Sequence, residues 1–563
     1  MTAEELARQL ATLQAELAVA QADAAAAKAE AAAKVSSLEE TLTNLAQENA
    51  LLKRRLFGKR SERSYSSELQ LSLGDLLAGE ADLQKELNAA GSKAQEAAGG
   101  EPEGPKGPRP KPKGRRSLLL SDLPRIVVEI LDEERERPDS GCRRIGFDDS
   151  RQLMFQRGGF SVLVKRVAKY EVMKDGEVTV ESGPTPETLF PRALLHTSTI
   201  AHLLTSKFSL GVPHYRLEQA LAEQGVPLDR STMCRYVEHA GNVLGATIVH
   251  AMWQHALEHG YVISTDATGA LIQPEKAKDG RSLGCTKGHF FVAVADCTAV
   301  LFAYVETHSS DKVKALFGEF KGMLQADASS VYDILERGPP KDTDEGVHLV
   351  GCWAHARRYF FEAAICRYPV GLQGLLRIRA LYAAERAVRK APAAEHAALR
   401  DQHVRPLIED FFTWVHAVRA QVAGRNLATK ALGYAVNQEP ELRRVLADPK
   451  LPLDNTRAER ALRKIVVGRK AWLFYGSDAH ADAAAAIFSL IASCRLHQLD
   501  PFTYLEEILR VLPYWPPKRY LELAPQHWAA TRRRLRPDEL AMPISAFEIP
   551  PPLEAAAHAP ASP

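Results

Sequence analysis

Three carboxylates combine residue type and setting in a way that points to chemistry. Asp266 is expected to end the apolar strand in "YVISTDATGALIQ", and Asp327 to end another in "GMLQADASSVYDIL". Glu459 lies in "DNTRAERALRKIVVGRKAWLFYGS", residues 454–477. Each alone has an ordinary reading. An Asp at a strand end caps a turn, and Glu459 can close a Thr-x-x-Glu capping box with Thr456 or pair with Arg463 four residues on. Together they form a different pattern. Two Asp side chains at the ends of neighbouring strands and a Glu on a helix against the sheet can converge. Oxygen-only ligands suit Mg2+ or Mn2+. Two such ions, about 3.5–4 Å apart, activate an attacking oxygen and stabilise the leaving oxygen of a phosphodiester.

The surroundings of Glu459 fit that chemistry. At about 100° per residue, Ala458, Ala461, Leu462 and Ile465 form an apolar stripe with Glu459 at one edge. Arg457, Arg460 and Lys464 lie beyond the other edge, and Arg469 and Lys470 follow in the same segment. The carboxylate is expected to face a sheet and the cations a polyanion. Asp296, in "VAVADCTAV", is a rival carboxylate, but it sits between two apolar runs and reads as a hairpin-turn residue. Cys352 and His355 in "CWAH" supply two ligands, too few for a zinc site. They read as a buried Cys and a helix-start His, with Arg357 and Arg358 as candidate DNA contacts.

The elements that must position these residues divide the chain into six parts. Residues 1–57 carry heptad steps, among them Val35, Leu38, Leu42, Leu45, Asn49, Leu52 and Leu56, and predict a helix with a coiled-coil seam that joins copies of the chain. Residues 58–117 form a basic segment and a Pro/Gly-rich linker unable to build a core. Lys53, Arg54, Arg55, Lys59 and Arg60 flank this joint as candidate phosphate contacts. Residues 118–190 alternate as a small β-rich module. In 191–255, residues 213–241 read as helix, turn, helix. Leu217, Leu221, Val226, Leu228, Met233 and Val237 are the expected buried set, Gly225 sits in the turn, and Arg230 and Arg235 can reach a groove. Residues 256–512 read as three strands, helix, strand, helix, strand, which is a mixed sheet flanked by helices, with an almost wholly helical stretch at about 366–450. Residues 513–563 are a tail, expected to be disordered after 537.

Bulk properties set broad limits. A chain of 563 residues exceeds one ordinary core, and 45% hydrophobic with 25% charged residues is a globular composition. The net charge of +2 identifies no partner, so the local basic clusters carry the argument, including one at Arg532–Arg536. Seven cysteines without a CxxC pair make a disulfide framework unlikely to be the design, and a reducing, cytoplasmic setting is expected. No apolar run suggests a signal peptide or a membrane span.

The segment holding Glu459 resembles the glutamate region of DDE transposases of the insertion sequence 66 family. So do "LFGKRSER", "VPHYRLEQALAEQGVPLDRSTM", "QADASSVYD" and "GCWAHARRYFFEA", in the family's order. The resemblance implies an α/β protein with an RNase H-like mixed-sheet catalytic core and a helical insertion, preceded by the helix-turn-helix region and the coiled coil. It places the catalytic, metal-binding acids at Asp266, Asp327 and Glu459, with two Mg2+ or Mn2+ ions per active site. It implies cleavage at an element's terminal repeats and strand transfer into target DNA, by a homo-oligomer, with possible companion proteins of the same element. Three departures are visible. Only Cys142 falls where many members carry paired zinc-binding cysteines, so no zinc is expected there. The Glu-Thr that often follows the first Asp is Ala-Thr in "DATG", and Asp-Asn-Asn is "DNT". The altered motifs keep open a catalytically silent, transposase-derived DNA-binding protein, and the heptads a coiled-coil adaptor.

Overall fold

The computed structural model describes residues 123–553, apart from 157, 175–176, 275–282 and 337–345, together with Lys28. The expected coiled coil and basic linker, with Lys53, Arg54, Arg55, Lys59 and Arg60, lie outside the described residues. The chain folds as two compact units, one containing Trp353–Lys450 and the other the described residues of 123–352 and 451–553.

The larger unit opens with a small sheet of β1 (Arg125–Ile130), β2 (Arg143–Gln156), β3 (Gly159–Lys174) and β4 (Glu177–Ser182). Long β3 is central, parallel to β1 and antiparallel to β2 and β4. Cys142, just before β2, is half-buried and lies 3.5 Å from the backbone oxygen of Ser140. The helix pair read from sequence follows as α1 (His214–Glu223) and α2 (Arg230–Leu244). All six residues of its expected core are buried. Gly225 takes φ +75° in the turn, a conformation open to glycine and strained for most other residues. Asp229 caps α2 by accepting from the Thr232 N–H at 2.9 Å.

The second sheet holds β5 (Val262–Ile272), β6 (Thr286–Ala295), β7 (Ala299–Val305), β8 (Met323–Gln325) and β9 (His348–Val350), in the order β7-β6-β5-β8-β9. The first three strands form an antiparallel meander, whereas β8 and β9 run parallel to β5. Between β7 and β8 lies α3 (Ser310–Phe317). The continuous apolar run of β6 is buried on both faces, the signature of a central strand. Asp296 occupies the β6–β7 turn with φ 47°, and its carboxylate accepts from the N–H groups of Tyr261 and Val262.

After the intervening unit come α4 (Thr456–Trp472) and α5 (Asp478–Leu496). Of the helices among the described residues, α5 is long and apolar enough to cross a membrane, but most of it is buried inside the protein. Its Ala-rich surface approaches the sheet closely, and two serines complete the open edge of β7. Ser489 Oγ accepts from Phe302 N–H at 2.8 Å and Ser493 Oγ from Val300 N–H at 3.0 Å. A Cβ on Gly241 of α2 would stand 2.5 Å from the Ala483 oxygen, so α2 and α5 touch backbone to backbone.

Three expectations need correction. Asp266 does not end its strand, because β6 pairs β5 from Ile263 through Ile272 and carries it past that point. Of "GMLQADASSVYDIL" only Met323–Gln325 is strand, because β9 offers just three residues of pairing. The tail over residues 538–553 is packed: Phe547 is buried, and Arg510 donates to the backbone oxygens of Leu540 and Met542. Burial of an aromatic and two guanidinium bonds to the backbone outweigh the proline content there.

In the other unit, helices surround Trp353, Phe360, Phe411 and Phe412, and a buried Arg400–Glu385 ion pair. It starts at Trp353, so the helix Trp353–Ile365 belongs with it rather than with the sheet. Arg357 is buried in this unit.

Candidate active site

The site arises from a mismatch of strand lengths. Ser264 of β5 pairs with Gln325, the last residue of β8. Two residues further on, Asp266 and Asp327 follow Ser264 and Gln325 with the same alternation. Past this point β5 continues while β8 does not, leaving one edge of β5 open. Helix α4 fills that edge. Near its start, Asn455 Nδ2 donates to the Thr265 oxygen at 2.8 Å. Near its end, Arg469 donates to the Gly269 oxygen and, at 3.2 Å, to Thr268 Oγ1. Beyond the helix, Tyr475 N–H donates to the Leu271 oxygen at 2.8 Å. Glu459 lies between the two anchors, in the first turn of α4.

The three carboxylates are electrostatic neighbours. Burial first, and then the charges of Asp327 and Glu459, hold the Asp266 carboxyl well above the usual carboxylate range, against one stabilising bond from the Ala267 N–H. Asp266 as a residue is half-buried. Beneath the pair, fully buried Tyr332 has its phenol pushed up by desolvation and by Asp327 and Asp266. Among the described residues, no group of three or more His, Cys, Asp or Glu is arranged to hold a metal ion as it stands.

Glu459 does not close a capping box. The N-cap position belongs to Asn455, so Thr456 is already inside the helix, and its Oγ1 is buried without a partner. The Asn455 N–H donates to Cys352 Sγ at 3.3 Å, and the Thr456 N–H to Asp454 Oδ1 at 3.0 Å. His355 lies in the other unit, in the first turn of its helix.

The cations sort into two groups. Arg457, Arg460, Lys464 and Lys470 are exposed along α4, with Ala458, Leu462 and Ile465 buried on the opposite side. Lys464 lies near Arg495, and burial followed by that neighbouring charge lowers its pKa. Arg230 and Arg235 are exposed at the start of α2. Arg469 points inward as the brace on β5, a job its sequence neighbours do not share. The basic cluster at 532–536 is largely engaged within the protein: Arg532 pairs with buried Glu507 at 2.7 Å and Arg536 with Asp538 at 2.9 Å.

Sequence reasoning passed over Asn455 and Gln325. Gln325 is fully buried, accepts from Ser264 Oγ at 3.3 Å and donates to the Pro452 oxygen at 2.8 Å. The available signal was the placement of both amides, two residues before Asp327 and four before Glu459.

Comparison with known proteins agrees with this architecture. Residues 192–483 match the family described as "Transposase IS66 family". Residues 44–128 match "Transposase C of IS166 homeodomain", and 489–526 match "IS66 C-terminal element". Relatives from Sinorhizobium fredii (strain NBRC 101917 / NGR234) are similar over nearly their whole length. Uncharacterized protein y4qI is 27% identical over 87% of this chain and 89% of its own, and uncharacterized protein y4hP is 26% identical over 85% and 87%. The first match alone takes in α1, α2, the whole second sheet and α4, and on that extent the chain belongs to the IS66 family of transposases.

Proposed function

We propose that this protein is an active DDE transposase whose second sheet is an RNase H-like core and whose catalytic residues are Asp266, Asp327 and Glu459. The observation that carries this reading is the gathering of three carboxylates at the β5–β8 divergence, close enough to raise the Asp266 carboxyl. Like charges so placed destabilise one another unless a cation joins them. The donor set is all oxygen, and two further buried oxygens beside it, Asn455 Oδ1 and Thr456 Oγ1, have no partner among the described residues. These features fit Mg2+ or Mn2+ rather than zinc.

Asp266 and Asp327 would hold such ions from the sheet and Glu459 from α4. Two bound ions supply Lewis acidity at the scissile phosphate. Arg457, Arg460 and Lys464 hold the phosphate backbone next to Glu459, and Arg230 and Arg235 present α2 to a groove. The first reaction breaks a phosphodiester at the element's end with water and leaves a 3′-hydroxyl. The second joins that hydroxyl to a target phosphate, one bond made for one broken. The departure "DATG" favours the silent DNA-binding reading only weakly, since Thr268 keeps a structural task as acceptor for Arg469.

The test is cleavage of a duplex bearing the element's terminal repeat, with Mg2+ or Mn2+. Asp266→Asn and Asp327→Asn should abolish cleavage and keep DNA affinity, and Asp296→Asn, a turn residue, should cleave as the wild type does. A wild type that binds its own ends but never cuts them would favour the silent binder.

A further inference from the structure

A second set of buried polar side chains meets where α4 begins, beside the three carboxylates and apart from them. Asn455, Gln325 and Cys352 are all fully buried. Asn455 reaches the Thr265 oxygen through its amide and Cys352 Sγ through its backbone N–H. Gln325 reaches Ser264 Oγ on β5, the Pro452 oxygen just before α4, and, at 3.5 Å, the Gly351 oxygen after β9. The network ties β5 next to Asp266, the residue two before Asp327, and the entry to the Glu459 helix.

Asn455 stands at the N-cap of α4, yet its side chain makes no capping bond. An Asn there ordinarily stabilises its own helix by accepting from an N–H of the first turn. Here the amide serves β5 instead, and its Oδ1 remains buried without a donor among the described residues. A buried polar group left unsatisfied is costly and calls for a compensating role. The position of the bond suggests that role. Its acceptor immediately precedes Asp266, and Glu459 follows its donor by four residues, about 6 Å along a rigid helix.

We propose that Asn455, seated by Cys352 and Gln325, is a positioning residue that sets the spacing of Glu459 from Asp266 and thereby the site's affinity for divalent cation. The inference rests on the three carboxylates being a cation site. Groups that orient metal ligands from behind typically govern about 10–100-fold in metal affinity, and Asn455 does so through the backbone next to Asp266.

The experiment titrates Mn2+ into the full-length protein without DNA, read by electron paramagnetic resonance, alongside thermal melts. Asn455→Ala should weaken Mn2+ binding about 10–100-fold. Cys352→Val, which removes the acceptor for the Asn455 N–H, should give a smaller loss in the same direction, and Cys352→Ser, which keeps an acceptor, should stay near wild type. Ser493→Ala removes hydrogen bonds to β7 in the same unit; it should melt lower yet bind Mn2+ normally, separating positioning from general loosening. Wild-type Mn2+ affinity in folded Asn455→Ala, or in Cys352→Val should the first variant fail to fold, overturns the inference. A wild type whose Mn2+ binding is absent, or unaffected by Asp266→Asn, overturns the cation site itself and this inference with it.

Discussion

Removing two cations from the exposed face of α4 should change how DNA binding responds to salt, by an amount the structure sets. Arg460 and Lys464 are both exposed, one turn apart, and lie away from the buried Ala458, Leu462 and Ile465. Substituting both by Ala therefore costs the fold little, within about 0.5 kcal/mol each. If each meets one phosphate, each contributes roughly 0.9 to the slope of log affinity against log salt. Losing both should flatten the slope by about 1.8, so the affinity drop between about 50 and 200 mM salt shrinks roughly twelve-fold. Fluorescence anisotropy with a terminal-repeat duplex across that range measures it directly. Arg536→Ala is the matched control, because that guanidinium is already paired with Asp538. A double variant with the wild-type slope, or a control that flattens as much, would refute the assignment of this face to DNA.

Three further outcomes follow from single features. The raised Asp266 carboxyl binds its proton more tightly folded than unfolded, so its contribution to stability is full below about pH 3.9, the ordinary Asp value, and is lost as pH rises through the folded pKa. Without divalent cation, Asp266→Asn should thus melt higher than wild type at pH 7–8, and Mn2+ should raise the melting temperature of the wild type only; a lower-melting variant would show that the carboxylates do not crowd one another. Gly241→Ala should destabilise by about 2 kcal/mol in chemical denaturation, because the clash with the Ala483 backbone exceeds the helix-propensity gain of about 1 kcal/mol; a net stabilisation would mean α2 and α5 are not in contact. Phe547→Ala should cost about 3 kcal/mol in the same assay, and no change would mean that the tail does not pack.

Local patterns in the sequence were legible where burial follows periodicity. The six core positions of α1 and α2, the stripe of α4 and the meander β5–β7 are all visible as spacing. The setting of the carboxylates was less so. Asp266 looks like a strand end because polar residues follow it, whereas the three-residue length of β8 is what opens the edge, and no property of the β5 segment encodes that. Arg469 and Arg460 look alike in sequence; only the path of α4 along β5 turns one inward. The bonds from Asn455 to Thr265 and from Gln325 to Pro452 join residues 190 and 127 positions apart, beyond the reach of any local pattern. The packed tail was missed for a similar reason, since Arg510 and Phe547 find their places through distant partners.

Glu459 is assigned as a ligand of the shared carboxylate site, and Glu459→Gln, which removes the charge and keeps the size, tests that assignment. Glu459→Gln should bind terminal-repeat DNA like the wild type and fail to cleave it in Mg2+ or Mn2+. Cleavage retained by Glu459→Gln at a rate near that of the wild type would contradict the assignment.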